Sequence, residues 1–285
     1  MKLDFSDKKQ FLAKIRKKAS QRKISPQILL QEVVLDDILD RIAHSEYRDN
    51  LVLKGGFLIA SLIGTDTRST RDIDTSIVGL PVTKETMKKV FEDVCAIELP
   101  NDIIQLTIVK LDDIREDDEY SGYRMHVKAK VYSSVVNVKI DISTGDVITE
   151  RAIIYGHKLL LEDRTIQVMA YNLETIVAEK LETIVNRAFF NTRLKDYYDL
   201  YLFDRQSVKF IDFDLLRKAI YATSENRGTS AKIGDYVKTI NTLKLDSNLS
   251  QLWQAYQERN NYAKGILFVD TCDAAIDLTK KSGIG

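Results

Sequence analysis

The stretch KGGFLIASLIGTDTRSTRDIDTSI, residues 54–77, decides how the chain is read. It is entered from an apolar run, Leu51-Val52-Leu53, with the length of a short buried strand. Gly55 and Gly56 follow, and then Phe57–Ile63, almost wholly apolar, which predicts a buried helix. A threonine-rich link leads to Arg71-Asp72-Ile73-Asp74, where an extended segment resumes. Residues two apart in a strand share a face and lie about 6.5–7 Å apart. Asp72 and Asp74 are therefore expected to face outward, with Ile73 in the core. Two carboxylates so placed repel, and a divalent cation between them relieves the repulsion. Mg²⁺ suits such a pair, because it takes hard oxygen ligands and keeps water or phosphate oxygens in its other positions. The Gly55-Gly56 turn permits close backbone approach to a phosphate, and the helix start adds its positive end.

The bulk composition sets limits around this stretch. The 285 residues suffice for one large domain or two ordinary ones, and 44% hydrophobic content is that of a core-forming chain. Lysine and arginine number 42, as do aspartate and glutamate, so no whole-protein nucleic-acid footprint is present, although a local basic patch is allowed. Cys95 and Cys272 make neither a disulfide framework nor a zinc site. His44, His126 and His157 are scattered without metal spacing. MKLDFSDKKQ carries no apolar signal segment and no run reaches membrane-spanning length, so the expectation is a cytoplasmic protein with no membrane partner.

On the N-terminal side, residues 6–23 form a basic helix with Phe11, Leu12 and Ile15 as its apolar stripe. It is either a solvated face or a contact to a nucleic-acid backbone. Ser25-Pro26 begins a core helix that runs to about Ala43. On the C-terminal side, a helix is expected from Lys84 to Val94 and a strand over Ile103–Leu111. Asp112–Tyr120 reads as a solvated acidic loop, and strands follow over Tyr123–Tyr132 and Val135–Ser143. In the last of these, Asp141 lies on the polar face and is a candidate third carboxylate. A short strand is expected at 159–161 and a connection at 165–171. Beyond Asn172 the pattern is helical nearly to the end. The expected architecture is a two-lobed α/β (α+β) protein. Residues 1–170 form a mixed-sheet lobe and residues 171–285 a helical one.

The helical part holds a second charged constellation. Lys180 falls mid-helix, and Asp196 and Asp199 lie three apart on one face of the next helix. The cation can neutralise triphosphate charge. The acids can position it, bind a base or sugar, or act as a base, or the whole set can be a surface ion-pair lattice. Trp253, Tyr256 and Tyr262 read as core.

The ordered set Gly55-Gly56, Asp72-Ile73-Asp74 and an isolated strand acid resembles the nucleotidyltransferase superfold of the DNA polymerase beta type. The fuller KGG…RSTRDID form, with Arg68 and Thr70 before the acids, resembles more narrowly the AbiEii/AbiGii toxin family, which includes the MenT toxins. AEKLET (178–183) and RLKDYYDL (193–200) are similar to that family's further motifs. The resemblance implies the toxin of a toxin–antitoxin pair, a Mg²⁺-dependent nucleotidyltransferase using an NTP, with a tRNA 3′ end as acceptor and a cognate antitoxin as partner. It implies that Asp72, Asp74 and Asp141 hold metal, that Gly55, Gly56, Arg68, Thr70 and Lys180 bind nucleotide, and that Lys180, Asp196 and Asp199 act in catalysis. Two alternatives are NTP-dependent modification of a protein side chain and a non-catalytic NTP-binding regulator; the neutral charge balance favours the latter.

Overall fold

A computed structural model describes residues 7–63, 72–100, 103–115 and 121–285. The chain forms two compact units. One spans 1–145 and 153–170, the other 146–152 and 171–285.

The first unit is built on a seven-stranded mixed sheet. Its strands are β1 (Leu51–Lys54), β2 (Asp72–Ile77), β3 (Ile104–Arg115), β4 (Ser121–Val131), β5 (Ser134–Ser143), β6 (Ile153–Lys158) and β7 (Thr165–Ala170), in the order β3-β4-β5-β2-β1-β7-β6. β2 runs parallel to β5 and antiparallel to β1, so it is central and its backbone is paired on both sides. α1 (Lys8–Gln21) and α2 (Pro26–His44) precede the sheet; α3 (Gly55–Ile63) links β1 towards β2, and α4 (Lys84–Ala96) precedes β3. Ser25 caps α2 by accepting from the Ile28 N–H at 3.2 Å, with Pro26 at the first helical position. α2 packs on β5 and β7, and its Leu29, Val34 and Ile38 are buried.

Three expectations about the sheet are corrected. Asp112–Arg115 is not loop but the end of β3, paired with residues 121–124. A register shift between Ile108 and Lys110 leaves Val109 exposed and keeps the strand going. The acids there are satisfied laterally: Lys110 Nζ reaches Asp112 Oδ2 at 2.5 Å and Lys84 Nζ reaches Asp113 Oδ2 at 2.6 Å. The strand expected at 159–161 lies earlier, as β6. Leu159 and Leu161 instead bury their side chains in the turn after it. Residues 165–170 are a strand, with Ile166, Val168 and Ala170 buried at alternate positions.

The basic helix is a packed element. Phe11, Ile15 and Ala19 are buried, Lys8 reaches Ser133 Oγ at 2.9 Å, and Lys14 Nζ donates to the Leu161 carbonyl at 2.5 Å. Lys18 donates to the Leu160 carbonyl. Lys14 and Lys18 tie α1 to the β6–β7 turn, while Lys9, Arg16 and Lys17 remain exposed.

The second unit is helical: α5 (Leu173–Arg187), α6 (Leu194–Leu202), α7 (Phe213–Asn226), α8 (Tyr236–Leu243), α9 (Ser247–Arg259) and α10 (Phe268–Lys281). Asn172 caps α5 by accepting from the Thr175 N–H at 2.9 Å and donates to the Thr149 carbonyl, which joins residues 146–152 to this unit. Trp253 is buried, stacks on Tyr256 and donates to the Ile266 carbonyl at 2.8 Å, as core aromatics do. Among the described residues, no helix is long and apolar enough to cross a membrane.

Candidate active site

β1 ends at Lys54 and the chain turns directly into α3. Gly55 adopts φ +66°, a conformation that side chains disfavour. The reason for glycine here is also spatial. A Cβ on Gly55 would sit 2.0 Å from Asp74 Oδ2 and 2.7 Å from Asp74 Cβ. The Asp74 carboxylate occupies that space, and its Oδ2 accepts from the Gly56 N–H at 3.3 Å. The first turn of α3 therefore presents backbone N–H to a carboxylate, as its partial positive charge favours. Gly55→Ala is expected to lose about 1–2 kcal/mol from the backbone alone. It should also push Asp74 out of place, which a melting curve and an activity assay read together.

The cross-strand register explains why the acids collect here. Lys54 pairs with Asp74, Asp74 with Asp141, Asp141 with Arg124, and Arg124 with Asp112, so one row of the sheet is charged across five strands. Ile73, between the two acids, is fully buried, as the alternation requires. Asp72 pairs with Lys139 one step along. Burial, together with the charge of Asp141 and then of Asp74, raises the Asp72 pKa against the opposing pull of Lys139 and Arg124. Arg124 closes on Asp141 through two hydrogen bonds, Nε to Oδ1 at 2.7 Å and Nη2 to Oδ2 at 2.6 Å. That bidentate pair raises the Arg124 pKa and engages both oxygens of Asp141.

The arrangement fits a small hard cation at Asp72 and Asp74: two carboxylates share a face, burial and like charge penalise the ionisation of Asp72, and backbone N–H fixes Asp74. Among the described residues no group of three metal-capable side chains is assembled, in keeping with the Arg124 clamp on Asp141. Protonation of Asp72 stabilises the fold. The sign follows from its raised value: this stabilisation is fully present below the ordinary 3.8 and is lost as pH rises through the native pKa. Asp72→Asn is therefore expected to raise Tm near neutral pH and to leave it unchanged in acid. Mg²⁺ should raise the Tm of the native protein and not that of the variant.

In the second unit, Lys180 on α5 meets both acids of α6. Its Nζ lies 2.6 Å from Asp196 Oδ1 and 2.7 Å from Asp199 Oδ2. The side chains are 11%, 2% and 0% exposed respectively, so the lattice is interior and not a solvated face. Arg193 Nε adds a contact to Asp196 Oδ2 at 3.2 Å. Burial opposes the Asp196 charge, but Lys180 and then Arg193 overcome it and hold the carboxyl below its usual range. A separate cluster sits nearby on α5, where Arg227 meets Glu182 at 2.6 Å and Glu179 at 3.6 Å. Arg68 and Thr70 lie outside the described residues.

His157 was invisible in the sequence as anything but a scattered histidine. Its Nε2 lies 2.8 Å from Asp36 Oδ1, and its Nδ1 lies 3.3 Å from Ser61 Oγ. This buried chain ties the last turn of α3 to α2. The available signal was an acid inside the apolar stripe of α2, since a buried carboxylate needs partners.

A glycine turn that admits a strand carboxylate, beside a second carboxylate on the same face, is the arrangement on which the nucleotidyltransferase resemblance rests. The chain belongs to the AbiEii nucleotidyl transferase toxin family of type IV toxin–antitoxin systems, whose pattern matches residues 37–273. Membership implies an NTP substrate and a cognate antitoxin. No curated protein matches the chain. Among solved structures, it is similar to a candidate nucleotidyltransferase from H. pylori, at 17% identity and TM-score 0.48 over 90% of this chain and 95% of that one. JHP933 from Helicobacter pylori is similar at 18% identity and TM-score 0.47, over 90% and 91%.

Proposed function

We propose that the protein transfers a nucleotide from an NTP to an acceptor hydroxyl in a Mg²⁺-dependent reaction, with a tRNA 3′ end as acceptor and blocked translation as the outcome in the cytoplasm. The observation that carries this reading is the Asp72–Asp74 pair with Asp74 seated on the Gly55-Gly56 turn. Asp72 and Asp74 are assigned to the metal, with Asp141 and Arg124 as the flanking pair that keeps the face anionic yet balanced. The bound cation supplies charge neutralisation to the phosphates. Gly55 and Gly56 keep side chains away from the phosphates while holding Asp74. Arg68 and Thr70 are assigned to nucleotide binding. Lys180, oriented by Asp196 and Asp199, is assigned to the triphosphate. This support favours a positioning role for the two acids, because both are closed on the lysine and buried. In the reaction the acceptor oxygen bonds to the α-phosphorus, the α–β anhydride breaks and pyrophosphate leaves; the hydroxyl proton goes to solvent or a carboxylate. The test incubates each α-labelled NTP with total tRNA and Mg²⁺. Label in tRNA with at least one NTP is expected, and no label with any of the four contradicts the tRNA acceptor.

A further inference from the structure

The segment between α5 and α6 exposes two adjacent aromatic rings. Phe190 is 90% exposed and Phe189 is 54% exposed. An isolated exposed phenylalanine is ordinary, but a contiguous pair on a fixed turn is not. The turn is fixed in four ways. Ala188–Phe190 forms a single 3-10 turn that rests on α5 and α8. Ala188 holds φ 44° and ψ −123°, which an alanine adopts only when its surroundings impose it. Asn191, fully buried, accepts from the Arg193 N–H through Oδ1 at 2.9 Å. On the α5 side, Lys232 Nζ is pinned to Asn186 Oδ1 at 2.5 Å.

The charged residues that flank the rings in the chain are cations. Arg187, Arg193 and Lys195 lie in the run from Asn186 to Lys195, which contains no acid. Arg187 and Lys195 are exposed, and Arg193 is 39% exposed while its Nε touches Asp196. A protein anchor would place such rings among other apolar side chains. Here the exposed residues nearest them in the chain are Arg187, Thr192 and Lys195. Rings with guanidinium groups beside them are the surface on which single strands stack, since every base has a π face and every linkage a negative charge.

We propose that Phe189 and Phe190 form a stacking platform for the bases of a single-stranded nucleic acid, with Arg187, Arg193 and Lys195 meeting its phosphates. The platform rests on the nucleotidyltransferase reading only for treating that strand as the acceptor; binding itself needs no turnover. The test measures anisotropy of a fluorescein-labelled, mixed-sequence single-stranded RNA with the full chain. Phe189→Ala/Phe190→Ala is expected to weaken binding about tenfold or more at unchanged Tm. Phe190→Trp should retain binding, because an indole also stacks. Arg187→Gln should reduce the salt slope by about one unit. Asp74→Asn, which addresses the transfer reaction and not the platform, should bind as the native chain does. Native-like RNA binding by the double alanine variant overturns the proposal. So does a double variant whose only change is a loss of self-association in sedimentation, which would make the rings a protein contact. Loss of binding in the double variant supports the platform even where the native chain transfers no label.

Discussion

Asp74→Ala is expected to abolish nucleotide transfer, lowering the rate by about a thousandfold or more, ~4 kcal/mol of barrier. The expectation follows from position. Asp74 is the only acid of the pair whose carboxylate is fixed by backbone, through the Gly56 N–H, and it fills the space that Gly55 leaves. Its loss leaves Asp72 as a single carboxylate, too little to hold a divalent cation against water. Stability should move little or upwards, because a like charge is removed from beside Asp72. A transfer assay paired with a melting curve separates the two effects. An active Asp74→Ala protein would remove Asp74 from the chemistry.

The second large effect is on stability. Lys180→Ala is expected to cost about 3–5 kcal/mol, because it removes the lysine that two buried carboxylates close on. Urea unfolding of the variant measures it. Charge logic also predicts non-additivity: adding Asp196→Asn and Asp199→Asn to Lys180→Met should recover much of the loss, since no buried charge then remains unpaired. The acid dependence has a definite sign. The lowered Asp196 pKa means that the ion pair stabilises the fold above the ordinary 3.8, and this is lost as pH falls through the native value. Lys180→Arg keeps the charge and is the variant for asking what the cation does to nucleotide affinity.

How much of this was legible in the sequence depended on the range of the interaction. Alternation at Asp72-Ile73-Asp74 is local, so the strand placed both acids on one face as read. The i, i+3 spacing of Asp196 and Asp199 likewise put both on the side that meets Lys180. What could not be read was lateral. Arg124 lies on β4, and only the β4–β5 register brings it onto Asp141. The same holds for His157 with Asp36, 121 residues apart in the chain. The acidic run at 112–115 looked like solvent-facing loop because its pairing with residues 121–124 on β4 leaves no mark in the local sequence. Residues 159–161 looked like strand because buried leucines in a tight turn give the same apolar signal as a buried edge. Nothing in the sequence marks Phe189 and Phe190 as exposed, since hydrophobicity alone implies burial and the turn geometry that denies it begins at Ala188.

The most direct measurement compares two labels in one reaction. An NTP labelled on the α-phosphate and the same NTP labelled on the γ-phosphate are each incubated with protein, acceptor and Mg²⁺, and the acceptor is then separated from pyrophosphate. Nucleotidyl transfer predicts α-label in the acceptor and γ-label in released pyrophosphate, with both signals lost in Asp74→Ala. γ-Label in the acceptor, or α-label transfer that survives Asp74→Ala, contradicts the account.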